Sequence, residues 1–202
     1  MEIFLPLASY AFVTSITPGP NNIMLTASGV SFGFKRTIPH LLGIPLGFGI
    51  QLVLCAIGLG TLLIKVPELN TGLKIIGSAY LLYLAWVLRS NVISDKQQGA
   101  SERKPMTLFN AASFQFANPK AWIMAITGAT VFIPKIESFF LSVLTLTAIF
   151  CIINVFCIAL WALMGSSIKS LLRHEKIERI FSGIIVLMVI YSAIAVWFGS
   201  GL

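Results

Sequence analysis

The sequence predicts an all-α integral membrane protein of six spans, on three observations. Of its 202 residues, 57% are hydrophobic and only 10% are charged. The charges are confined to short stretches, and the runs between them are long enough to cross a bilayer. A helix rises about 1.5 Å per residue, so a hydrocarbon core of about 30 Å needs about 20 apolar residues.

Four uncharged runs reach that length: Ile3 to Phe34, Leu41 to Ile64, Phe139 to Met164 and Ile180 to Leu202. Two further spans are interrupted by a lysine, Leu69 to Leu88 by Lys74 near its start and Pro105 to Pro134 by Lys120 in its middle. None alternates apolar and polar residues, and all far exceed the roughly ten residues of a barrel strand, so helices remain. The Met1-Glu2 start lacks the basic region of a cleaved signal, and the first run reads as a retained span.

The basic residues set the orientation. The first, third and fifth loops hold Lys35, Arg36, Arg89, Lys96, Arg103, Lys104, Lys169, Arg173, Lys176 and Arg179, while Lys65, Lys74 and Lys135 lie on the other side. This bias places both termini outside a cytoplasmic membrane. The chain is one transport domain, 1–202, with halves of about 1–88 and 105–202 joined by a polar cytoplasmic loop, 89–104. A net charge of +7 gathered beside the spans fits anionic lipid headgroups rather than nucleic acid. His40 in the first loop and His174 in the fifth are expected at the surface. Cys55, Cys151 and Cys157 fall within spans, where packing accounts for them.

An offset of 99 places Pro20 on Pro119, Met24 on Ile123, Gly29 on Gly128 and Arg36 on Lys135. The first span then overlays the fourth, and because each half has three spans the repeat is inverted, 3+3. Pro20 and Pro119 both fall near mid-span. Proline inside a helix costs about 3 kcal/mol, yet it suits the first position of one, after Gly or Asn as the cap. Gly19-Pro20 and Asn118-Pro119 therefore read as helix restarts, and spans one and four as broken there. Two half-helix amino termini meeting near the midplane form an anion site of the kind used by secondary transporters; a pair of structural kinks is the plainer alternative.

Lys120 is the charged residue well inside a span, at a cost of about 2.5–3.5 kcal/mol on insertion scales. It can pair with a substrate carboxylate, or snorkel to a polar pocket. Asn21, Asn22 and Asn118 stand at the breaks, with Gln115 and Asn154 as further amides in the spans. Such groups bind both ends of a zwitterion but also cap and bridge helices. The candidate substrate-binding set is thus Pro18, Gly19, Pro20, Asn21, Asn22, Gln115, Asn118, Pro119, Lys120 and Asn154. Gly29, Gly33, Gly43, Gly47 and Gly49 suit close helix packing, within one chain or in a homodimer.

Thr17-Pro18-Gly19-Pro20-Asn21 at the first break, the glycine-dotted second span and Asn118-Pro119-Lys120 resemble the LysE/RhtB family of bacterial amino-acid exporters over nearly the whole chain. Pro18 to Asn22 looks most like the branch exporting cysteine and O-acetylserine. The resemblance implies efflux of an amino acid or related metabolite across the inner membrane, driven by the proton motive force. Many relatives carry Asp where this chain has Asn21. With no carboxylate in any span, Lys120 is the titrating candidate for coupling.

A passive channel for small solutes shares every feature except coupling. An enzyme needs a nucleophile with its base, or a metal set, at membrane depth, and the spans offer neither. No Gly-x4-Gly-Lys-Ser/Thr loop is present either. The sequence therefore predicts no cofactor and no metal.

Overall fold

A computed structural model describes residues 3–94, 104–134, 138–168 and 175–198. The described residues form nine α-helices and one π-helical turn. Most of the third loop, Lys135, and residues 169–174 with His174 lie outside the described residues.

Helix α1 (Phe4–Ile16) stops where the residue before Pro18 must extend: Thr17 has φ −64° and ψ 143°. Gly19 is also extended, and α2 (Pro20–Phe32) starts with proline at its first turn. A single residue, Gly33 at φ 78°, joins α2 to α3 (Phe34–Leu54). No atom lies within 4 Å of a Cβ built there, so the left-handed backbone, not space, calls for glycine. Helix α3 continues through a π-helical turn (Cys55–Leu59), with Gly58 at φ 127°, into α4 (Gly60–Lys65).

Pro67 opens α5 (Pro67–Ser94). Thr107 caps α6 (Leu108–Ala117) by accepting from Asn110 N–H at 3.2 Å. Asn118, extended before Pro119, separates α6 from α7 (Pro119–Val131). Helices α8 (Phe139–Ile168) and α9 (Glu175–Phe198) complete the chain.

Polarity is distributed for lipid. Leu5, Phe109, Phe140, Phe156, Tyr191 and Phe198 are exposed, while Asn22, Gln51, Gln115, Asn118 and Asn154 are buried. Two helical stretches are each long and apolar enough to cross a bilayer alone: Phe34–Lys65, 32 residues at mean hydropathy 2.1, and Phe139–Ile168, 30 residues at 2.6. The first loop differs from its expectation. Because Gly33 is the whole joint, Lys35, Arg36 and His40 belong to α3, and His40 is 2% exposed rather than at the surface.

Helix α2 packs chiefly on α8, α3 on α6, and α5 on α9. Glycines set two of these contacts. A Cβ on Gly43 or Gly47 would come within 2.3 Å of Leu108 O or 2.2 Å of Ala112 O on α6. One on Gly29 would lie 2.3 Å from Ala162 O, and one on Gly165 2.2 Å from Thr26 O, so α2 and α8 also touch backbone to backbone. Gly29, Gly43, Gly47 and Gly49 are thus occupied by packing within the chain. The register of α3 on α6 runs parallel, since 43 and 47 meet 108 and 112, and α1 with α2 runs parallel to α8, since Ser15 meets Asn154 and Thr26 meets Trp161. The pairing of α5 with α9 joins Ser78 to Ala193 O at 3.1 Å and to Trp197 Nε1 at 3.0 Å.

Candidate functional site

A helix that stops in a buried region must find partners for its last carbonyls. At the end of α1 each is accounted for. Thr17 N–H donates to Val13 O, Thr17 Oγ1 to Thr14 O, and Asn22 Nδ2 to Ser15 O at 2.9 Å and Thr17 O at 2.8 Å. Trp161 Nε1 reaches across from α8 to Ile16 O at 3.1 Å. The ammonium of Lys120, from the other half of the chain, donates to Thr17 O at 2.9 Å, Thr17 Oγ1 at 3.0 Å and Pro18 O at 3.4 Å.

The end of α6 is held similarly. Asn118 N–H and Gln51 Nε2 both donate to Gln115 O, the latter at 2.9 Å, and Trp122 Nε1 donates to Phe116 O at 2.9 Å. Asn118 Oδ1 then caps α7 by accepting from Lys120 N–H at 3.2 Å. The start of α2 is tied to the last turn of α6 by a reciprocal amide pair: Asn21 Nδ2 donates to Gln115 Oε1 at 2.8 Å, and Gln115 Nε2 to Asn21 Oδ1 at 3.1 Å.

Between the two breaks lies a pocket of about 340 Å³ of empty space counted to its open mouth. Seven of the ten sequence-predicted residues line it: Gly19, Pro20, Asn21, Asn22, Asn118, Lys120 and Asn154. Pro18 contributes its carbonyl to Lys120, and Gln115 stands behind Asn21. Pro119 faces a different, mainly apolar groove beside Lys74 and Trp122.

The pocket is electrically one-sided. Among the described residues Lys120 is the one charged residue lining it, and the ammonium's three hydrogen-bond partners are neutral oxygens. The start of α2 adds the positive end of its dipole and has no side-chain cap, whereas Asn118 caps α7. Asn154, also in the lining and 4% exposed, donates its Nδ2 hydrogen to Ser15 Oγ at 3.0 Å, while its Oδ1 has no partner among the described residues. The arrangement offers an anion a positive corner and a cationic donor a neutral acceptor.

Sequence reasoning missed Thr14, Ser15, Ile44, Phe48, Ala121 and Met124, which also line the pocket. Thr14 and Ser15 sit in the turn before the break, a spacing that points to the same place. Ile44 and Phe48 become visible only once α3 is laid against the breaks.

A model of LysE type translocators matches residues 12–199, nearly the whole chain. The chain belongs to the LysE type translocator family. Membership makes it a membrane transporter rather than an enzyme. Relatives named cysteine/O-acetylserine efflux protein, from Salmonella typhimurium LT2, Salmonella typhi and Escherichia coli K12, are each 28% identical over 190 residues, covering 94% of this chain and 95% of theirs. No solved structure matches the chain.

Proposed function

We propose that the protein is a secondary exporter of a small zwitterionic amino acid, cysteine or O-acetylserine or a close analogue, working by alternating access in a bacterial inner membrane. It is driven by the proton motive force. The observation that carries this reading is the Lys120 ammonium held between the two helix breaks, in a small pocket whose described lining has no carboxylate. The substrate carboxylate sits against Lys120 and the uncapped start of α2. Its ammonium goes to Asn154 Oδ1, because Asn21 is engaged by Gln115 and Asn118 by the α7 cap.

The transport unit is a six-span, 3+3 inverted repeat with both termini outside. Its support is the packing: the broken span of each half (α1 with α2, α6 with α7) lies along the second span of the other (α8, α3) in parallel, and the third spans, α5 and α9, pair with each other. Anionic lipid surrounds the basic loops.

Everted vesicles test the reading. Vesicles containing the protein should accumulate O-acetyl-L-serine when energised and lose it on adding a protonophore. Equilibration that ignores the protonophore identifies a passive channel instead, and no uptake of either O-acetyl-L-serine or L-cysteine removes the substrate assignment.

Gly19 gives a second test. A Cβ there would lie 2.8 Å from Lys120 Cδ and 3.0 Å from Nζ, so Gly19→Ala must push the flexible lysine tip off Thr17 while the backbone stays. Displacing the ammonium from its place in the pocket should lower transport by about tenfold or more, equivalent to losing one charged hydrogen bond to the substrate at about 1.5 kcal/mol. Equal transport by Gly19→Ala and the parent chain would show that the lysine's position is immaterial.

A further inference from the structure

We propose that His40 is the proton-exchange site of this exporter, a buried imidazole one turn below the substrate pocket that takes up a proton for substrate expelled. The inference rests on the transport reading above and deepens it by naming the coupling residue.

His40 is among the largest fully buried side chains, and neither ring nitrogen has a hydrogen-bond partner among the described residues. A buried imidazole normally spends at least one nitrogen on a neighbour, so an unengaged pair needs an explanation. Its place supplies one. His40, Ile44 and Phe48 succeed one another at four-residue intervals on one face of α3, and the last two line the pocket. One turn back, Thr37 Oγ1 lies 3.0 Å from Ser28 Oγ and 2.9 Å from Gly33 O, which carries polar atoms from His40 toward the α2–α3 joint on the cytoplasmic side.

The segment is also built to shift. Pro39 and Pro45 bracket His40, and each withholds a backbone N–H, so the helix is loosened between the histidine and the pocket.

No other described group fits the task as well. Carboxylates are absent from the described pocket lining, and the Lys120 ammonium is already assigned to the substrate carboxylate. Around His40, Arg36 stands one turn back on α3, exposed and 5.7 Å over the Phe32 ring. Lys104, exposed, lies four residues before the start of α6, the helix packed on α3. Helix α2 carries no titratable side chain, α7 carries Lys120, and α8 offers the Cys151 and Cys157 thiols, hydrogen-bonded to Pro45 O and Phe12 O. In the cycle a proton from outside adds to the imidazole lone pair and later leaves to the cytoplasm; only an N–H bond forms and breaks, and the gradient supplies the free energy.

The test uses the full-length protein in proteoliposomes with O-acetyl-L-serine as probe, measured as counterflow without a gradient and as accumulation under an imposed pH gradient. The parent chain should show both. His40→Gln should keep counterflow and accumulate no further than equilibrium; should it melt at a lower temperature, His40→Asn is measured in the same way. Gradient-driven accumulation by both variants overturns the proposal, and so does loss of counterflow in step with accumulation, which is what a packing role produces. A parent chain that exchanges without ever accumulating removes coupling and this inference but leaves the substrate pocket standing. One that does neither sinks the transport reading itself.

Discussion

Lys120→Met should leave a folded, membrane-inserted protein whose export of O-acetyl-L-serine falls by at least about 30-fold, the equivalent of ~2 kcal/mol for removing one member of a buried charge pair. Methionine keeps much of the aliphatic stem, which lies against Gly19, and removes the ammonium that bridges Thr17 and Pro18 to the second half of the chain. Lys120→Arg separates the two roles of the residue. Arginine retains the charge but not the point-like fit against the three oxygens, so binding should weaken less than in the methionine variant. The measurement is initial-rate efflux at equal protein, with melting temperature as the check on folding. Undiminished efflux by Lys120→Met would take the lysine out of the site, and with it the anion corner.

The same residue illustrates what a sequence makes legible. Lys120 stands out from sequence because a charge in an apolar run has a solvation cost wherever the chain folds. Helix ends at Thr17–Gly19 and Asn118 are also written locally, by the restriction a proline places on its predecessor and by its fitness for a first turn. The all-helical class and the family follow from features of that kind.

His40 was illegible for the opposite reason. Counting uncharged residues begins the second span at Leu41, because Lys35, Arg36 and His40 look like a loop. One glycine at positive φ converts that loop into the first two turns of α3 and buries the imidazole. The partners of the amides were equally hidden. Asn21 meets Gln115 across 94 residues and Asn154 meets Ser15 across 139, and no pattern along the chain fixes such a register.

That register depends on four glycines, and substituting them should have the largest effect on stability. Gly47→Ala would set a methyl 2.2 Å from Ala112 O, and Gly165→Ala one 2.2 Å from Thr26 O. The obstacle in each case is backbone, which cannot rotate away as a side-chain tip does. The paired helices must separate, and separation at α3–α6 or α2–α8 also pulls Gln51 from Gln115 O or Thr26 from Trp161 O.

Overpacking of this kind costs about 3 kcal/mol or more, which lowers the melting temperature of a chain this size by roughly 6–12 °C. Gly72→Ala and Gly183→Ala are the controls, since nothing lies within 4 Å of either added methyl. Both sit in helices, where alanine is favoured over glycine by about 0.5–1 kcal/mol, so those variants should melt no lower than the parent and slightly higher if anything. The comparison is a thermal scan of detergent-purified protein. If Gly47→Ala and Gly165→Ala melt with the controls, the two helix pairs do not meet backbone to backbone, and the pocket they frame is wider than described.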